Sequence, residues 1–133
     1  AREQAWEELG IAMPEFYYVP EDMRFESATL DTAENRVVFE YRTKEEYVYL
    51  NAVKNNVEAT VQSGDPNGQY IENVQAGANG EEIDVIILSD DSGGVGFKRY
   101  SGKWNYQNCG YEISGMQSRE MLMEILRNMQ FTQ

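Results

Sequence analysis

The run Trp104-Asn-Tyr-Gln-Asn-Cys-Gly-Tyr111-Glu-Ile113-Ser-Gly115, followed at once by Ser118-Arg-Glu-Met-Leu-Met-Glu-Ile-Leu-Arg-Asn-Met129, constrains the fold more than any other part of the chain. Its first half alternates aromatic or aliphatic residues with polar ones around Asn108, the pattern of two strands joined by a tight turn. Its second half places Met121, Leu122, Ile125, Leu126 and Met129 on one helical stripe, with Ser118 as N-cap and Glu120, Glu124 and Arg127 left for solvent. A helix that is apolar on one stripe only must lie on something. The strand pair just before it supplies that surface, so the C-terminal quarter predicts a helix packed on a sheet.

The rest of the chain supplies more strands. Phe25 to Leu30, Arg36 to Tyr41 and Tyr47 to Val53 carry β-branched and aromatic residues, with Asp31-Thr-Ala-Glu-Asn35 and Thr43-Lys-Glu-Glu46 as polar turns. This predicts an antiparallel meander. Val37, Phe39 and Tyr41 share one face; Val48, Leu50 and Ala52 form the buried set of the third strand and Tyr47 and Tyr49 the outer set. Between Asn55 and Glu82 the alternation weakens, and Ser63-Gly-Asp-Pro-Asn-Gly68 and Gly77-Ala-Asn-Gly80 are turn chemistry, so a loop region with one or two short strands is expected. Ile83-Asp-Val-Ile-Ile-Leu88 reads as a strand covered on both faces. Ser89-Asp-Asp-Ser-Gly-Gly94 turns the chain, and short strands follow at Gly96 to Tyr100, Lys103 to Gln107 and Cys109 to Ser114, with hairpin turns at Ser101-Gly102 and Asn108. At the other end, Ala5, Trp6 and Leu9 are spaced for one face of a short helix that Gly10 closes in a left-handed cap. Ile11 to Met23, in which Pro14 and Pro20 flank an aromatic run, is then an extended connector lying on the core. The expected fold is α+β: one domain over residues 1–133, a twisted, mainly antiparallel sheet of about six or seven strands covered by the N-terminal and C-terminal helices. A sandwich similar to the Mog1/PsbP group is one form it can take.

A chain of 133 residues buries roughly two thirds of its unfolded surface around a single core, and its nine Tyr, five Phe and two Trp supply the large units of that core. The net charge is −12, from 23 acidic and 11 basic residues, and the basic ones form no stripe. Such a surface repels phosphate backbones and anionic lipid, so no nucleic-acid partner is expected. No apolar run is long enough to span a bilayer. The chain opens Ala1-Arg-Glu-Gln without an initiating Met, which reads as a trimmed chain or a processed product from which an upstream anchor or partner domain has been removed.

Histidine is absent, which removes Cys-His and Ser-His nucleophile pairs and every imidazole metal ligand; Cys109, the only cysteine, forms no internal disulfide. Asp90-Asp91 beside Ser92-Gly93-Gly94 offers carboxylates on a glycine turn, a pattern that suits a hard cation as well as a solvated acidic loop. Asp65-Pro-Asn67-Gly68 resembles the start of a calcium loop, but Ala76 stands where the bidentate Glu is needed. Gly93-Gly94-Val95-Gly96 precedes a strand instead of the helix a phosphate-cradling loop requires. Ser101 and Lys103 are a weak Ser-Lys pair beside a hairpin turn. The aromatics Tyr17-Tyr18, Tyr47/Tyr49 and Trp104/Tyr106 can stack on a sugar or form a partner surface, as well as fill the core. No residue is assigned a catalytic, cofactor or metal role. Tyr17, Tyr18, Asp90 and Asp91 are the exposed-looking candidates for contact with a partner or ligand.

Leu9-Gly10, Met13-Pro14, Tyr18-Val-Pro20-Glu-Asp-Met23, the strand ending Phe39-Glu-Tyr41, then Trp104 before Gly110-Tyr111-Glu-Ile113-Ser-Gly115 and the terminal helix resemble the bacterial domain-of-unknown-function family numbered 4367. The resemblance implies an extracytoplasmic domain, carboxy-terminal to a single membrane anchor, often in anti-sigma-factor-like proteins of Gram-positive bacteria. It brings no catalytic residue and no cofactor. With the missing catalytic constellation, it implies a non-enzymatic sensing or protein-interaction module whose partner is a protein or an envelope ligand. The alternatives are a carbohydrate or cell-wall binding module, a carboxylate-dependent hydrolase, or a spacer between an anchor and other envelope components.

Overall fold

The computed structural model describes residues 2–44, 47–54, 69–78, 81–90 and 99–131, with the backbone alone over 69–78, 81–82 and at residue 90. Helix α1 spans Arg2–Leu9 and helix α2 Arg119–Arg127; the strands are β1 Glu15–Phe16, β2 Arg24–Asp31, β3 Arg36–Arg42, β4 Tyr47–Lys54, β5 Gln69–Ala78, β6 Glu81–Asp90, β7 Arg99–Tyr106, β8 Cys109–Met116 and β9 Met129–Gln130. Seven strands form one antiparallel sheet in the order β2-β3-β4-β8-β7-β6-β5, and β1 pairs with β9 in a separate ladder. Two meanders, β2 to β4 and β5 to β8, therefore meet at the centre. The seam is β4 against β8, where Leu50 faces Ile113 and Ala52 faces Tyr111. The α+β class, with a mainly antiparallel sheet, is as expected.

Alternation decides which face is inside. Val37 and Phe39 of β3, Val48, Leu50 and Ala52 of β4, Val85 and Ile87 of β6, Trp104 of β7 and Tyr111 and Ile113 of β8 join one buried cluster. Ala5 and Leu9 of α1 and Leu122, Ile125 and Leu126 of α2 belong to that same cluster, so both helices cover the same face. Ile86 and Leu88 are also buried but lie on the opposite face, which makes β6 the doubly covered strand that its unbroken apolar run implies.

The ends of the helices follow their sequence signals. The Ser118 hydroxyl accepts from the Met121 N–H at 3.3 Å and starts α2. Gly10, at φ +68, closes α1 with its N–H donating to the Trp6 carbonyl at 2.9 Å. The Lys54 ammonium donates to the Leu9 carbonyl at 3.2 Å, setting a cation at the negative end of the helix and tying α1 to β4. Between β2 and β3, Asp31 Oδ1 accepts from the N–H groups of Ala33 and Glu34, each at 3.1 Å. Between β7 and β8, Gln107 and Asn108 both have positive φ, 47° and 66°, the geometry of a two-residue hairpin turn.

Several expectations are corrected. Ser101-Gly102 is no turn: β7 runs unbroken through it, with an irregularity in register between Tyr100 and Gly102. Gly102 is there for space, since a Cβ would lie 3.2 Å from Val85 and 3.4 Å from Leu126, the point where α2 presses on the sheet. The weak stretch after Asn55 contains a ten-residue strand, β5, whose pairing with β6 overrides its poor local pattern. Trp6 and Met121 are exposed, not on the apolar stripes of their helices, and Met129 belongs to β9, since Asn128 ends α2 one residue earlier. The expected turns at 63–68 and 91–94, and Gly96 to Lys98, lie outside the described residues.

Gly115 ends the β8 motif for a backbone reason. Its φ is +93, and a Cβ would stand 2.4 Å from the Tyr47 carbonyl oxygen. No L side chain fits there without moving the start of β4.

Candidate functional site

The connector after α1 carries the chain along the end of β2 and β3 and leaves a groove there. Its volume is about 350 Å³, and its apolar lining is Pro14, Phe16, Val19, Phe25, Phe39 and Tyr41. Arg2, Glu3 and Glu15 complete it. Each side chain is placed by a local rule: Phe39 and Tyr41 alternate onto the inner face of β3, Phe25 lies opposite Tyr41 across the β2–β3 pair, and Phe16 is held by the short β1–β9 ladder.

The rings meet edge to face. Phe25 and Phe39 have centroids 5.4 Å apart at 78°, and Phe25 and Tyr41 5.6 Å apart at 74°. Phe16 tilts against Tyr41 at 6.0 Å. Such offset pairs present both ring faces and ring edges to the opening, where an apolar group can add to the cluster. Phe25 remains 47% exposed, a large cost for an aromatic ring in a domain with a closed core elsewhere.

Charge lies beside the rings. The Arg2 guanidinium pairs with the Glu15 carboxylate at 3.1 Å, across the junction of α1 and β1. Both side chains are about one third exposed, so the pair orients the groove more than it stabilises the fold. Burial pushes the Tyr41 hydroxyl up to about 12, against the opposing pull of Arg2, so Tyr41 is a neutral donor at physiological pH. The arrangement can hold an apolar side chain or ring that carries a polar end; it holds no nucleophile paired with a base. Among the described residues no group of three or more Cys, Asp or Glu side chains is placed to hold a metal ion.

The four residues anticipated from sequence divide. Tyr17 and Tyr18, 58% and 39% exposed, follow β1 and flank the groove through their neighbours Phe16 and Val19, without lining it themselves. The Tyr17 N–H donates to the Asn128 carbonyl at 2.9 Å, extending the β1–β9 ladder. Asp90 ends β6 opposite Arg99, on a different element from the tyrosines, and Asp91 lies outside the described residues. Sequence reading missed the groove because Phe39 and Tyr41 read as the regular inner face of one strand and Phe25 as the start of another, with nothing local to mark an opening between them. The signal that exposes them is the position of β2 at the edge of the sheet.

Two other features belong to the surface and the core. Tyr47 and Tyr49 stack at 6.3 Å and 20°, both exposed, with the Arg42 guanidinium 5.2 Å from the Tyr47 ring centre. A small cleft of about 90 Å³ between Asp22, Val48, Met116 and Met121 is too shallow for more than a side-chain tip. Cys109 is buried; burial pushes its thiol up, while a hydrogen bond with Tyr111 and the charge of Lys54 pull the other way. A buried, protonated thiol is a poor nucleophile.

The molecule is thus an antiparallel α+β sheet domain with an open aromatic groove at its β2 end, and the family follows from the chain itself. The chain belongs to the family described as "Domain of unknown function (DUF4367)", which it matches over residues 13–129. That span takes in the connector, the whole sheet and α2. No curated protein and no solved structure shows significant similarity to the chain.

Proposed function

We propose that this is a non-enzymatic extracytoplasmic sensing or protein-interaction domain of a membrane-anchored, anti-sigma-factor-like bacterial protein. It acts by holding an apolar or aromatic side chain of a partner polypeptide in the groove of Phe16, Phe25, Phe39 and Tyr41. The observation that carries this reading is the half-exposed Phe25 ring set among three other aromatics in an open groove of about 350 Å³. The net charge of −12 favours a partner segment that also carries Lys or Arg, through long-range attraction during encounter. Peptide display against the folded domain tests it. Enriched sequences should pair an aromatic or aliphatic anchor with basic residues, shift the amide signals of Glu15–Phe16 and Arg36–Arg42, and lose affinity about tenfold against Phe25→Ala. Binders that ignore that substitution would overturn the groove as the site. Attachment outside the membrane is tested separately, by protease access to the domain on intact cells.

A second reading is carbohydrate or cell-wall binding, favoured by the exposed Tyr47–Tyr49 stack with Arg42 beside it. Aromatic faces that are already parallel offer a platform to the flat side of a sugar ring. A glycan array probed with the domain and with Tyr47→Ala/Tyr49→Ala separates the readings, since the groove is untouched by that pair.

A further inference from the structure

Strand β2 is the edge of the seven-stranded sheet, and it is exposed along nearly its whole length: Arg24 to Ser27, Thr29 and Asp31 face solvent, and only Ala28 and Leu30 are partly covered. An eight-residue edge in this condition is a template for a further strand, and charges and bulges are the usual devices that blunt it. Both devices are here, in Arg24, Asp31 and an irregularity at Glu26, where the pairing with β3 steps from Phe25 to Ser27. Their spacing is self-complementary.

The register with β3 assigns the faces. Phe25, Ala28 and Leu30 lie opposite Tyr41, Phe39 and Val37 and so share the inner face, whereas Arg24, Ser27, Thr29 and Asp31 lie opposite Arg42, Glu40, Val38 and Arg36 on the outer one. Set a second β2 antiparallel to the first with Glu26 bulged in both. Arg24 then falls opposite the second copy's Asp31, Phe25 opposite Leu30, Ser27 opposite Thr29, and Ala28 opposite Ala28 on the two-fold axis. Every pair joins like faces; each contact but Ala28–Ala28, which lies on the axis, occurs twice by symmetry, opposite charges meet at both ends, and the smallest side chain sits where the chains cross.

We propose that β2 is a homodimerisation edge: two copies of this chain join their sheets through an antiparallel β2–β2 pair about Ala28. The occupant of the edge is a second copy because, the bulged Glu26 apart, the register gives every residue along it a partner on its own face and gives Arg24 and Asp31 partners of opposite charge. The net charge of −12 on each copy opposes the encounter at long range, so association strengthens as salt screens it. This inference goes beyond the groove reading and shares Phe25 with it; Ser27 and Thr29, the positions varied in its test, lie on the outer face and do not line the groove, so the two readings fail separately.

Sedimentation velocity on the 133-residue chain, over a micromolar to millimolar series at low and high salt, tests it beside two surface variants. In Ser27→Lys/Thr29→Lys the ammonium introduced at each position 27 meets the one introduced at position 29 of the second copy, although the chain as a whole becomes less negative. Self-association should weaken about tenfold. In Ser27→Lys/Thr29→Glu the ammonium at each position 27 meets a carboxylate at position 29 of the second copy, and association should return to at least the wild-type level. Both positions are exposed, so unchanged melting curves confirm that the fold is intact. A monomer at every concentration and salt overturns the proposal, as does a dimer equally strong in both variants. Loss in one variant with recovery in the other establishes the pair and its register.

Discussion

Two aromatic clusters, one near the centre of the sheet and one at its β2 edge, use the same residue types for different ends. Around β7 and β8, Trp104 lies parallel to Tyr111 at 5.5 Å and 6°, Tyr106 stacks on Phe131 at 4.0 Å, and Tyr111 meets Phe131 edge-on. Trp104, Tyr111 and Phe131 are completely buried, and the Tyr111 hydroxyl donates to the Ala12 carbonyl, pinning the N-terminal connector to the centre of the sheet. Around β2 and β3, Phe16, Phe25, Phe39 and Tyr41 meet edge to face with one side open. The difference is one of position in the sheet. β7 and β8 have neighbours on both sides and a helix above, whereas β2 has a strand on one side only. Aromatic surface that the fold covers contributes stability; the same surface left uncovered is available to a ligand.

The sharpest test of that contrast is Trp104→Ala, which opens a large cavity in the closed cluster and should cost about 3–5 kcal/mol in urea or thermal unfolding. Second in size is a pH effect at Tyr41 in the open cluster, distinct from the upward push that burial also gives Tyr111 in the closed one. Tyr41 is raised in the folded chain from its ordinary value of 10.0 to about 12, so the folded state holds its proton more tightly than the unfolded one. That contribution, about 2 kcal/mol, is fully present below pH 10 and is lost as pH rises through 12; the loss should be missing from the alkaline unfolding curve of Tyr41→Phe. Tyr111→Phe keeps the ring and removes the donor to Ala12, so a decrease of about 1–2 kcal/mol is expected. Phe25→Ala should change stability least, by about 1 kcal/mol or less, while weakening peptide binding at the groove. A cost for Phe25→Ala as large as that for Trp104→Ala would abolish the distinction between the clusters.

Burial of one polar group in the closed cluster has no compensating contact: among the described residues the Trp104 indole N–H meets no hydrogen-bond acceptor, although the ring is fully enclosed. An orphaned donor of this kind lowers the net gain from an otherwise well-packed ring. Replacing it by Phe therefore costs less than its volume alone implies.

The elements with strong local signals were legible from residue order. The Ser118 cap, the Val48-Leu50-Ala52 alternation, the turn at Asn108 and the left-handed Gly10 each state their geometry within a few residues, because caps, turns and period-two burial are short-range physics. So was the family, whose motif Gly110-Tyr111-Glu-Ile113-Ser-Gly115 has a backbone reason at Gly115 and a packing reason at Tyr111.

What residue order could not state is which strand lies beside which. β5 reads as loop until β6 pairs with it, Gly102 reads as a turn until α2 presses on it, and Phe25 reads as one more strand residue until β2 is found at the edge. An antiparallel α+β domain, the Gly10 and Ser118 helix caps, the inner and outer faces of the strands and the absence of histidine chemistry all follow from residue type and near neighbours. The strand order, and with it the groove and the bare β2 edge, comes from contacts between residues far apart in the chain, which set exposure and which no local pattern encodes.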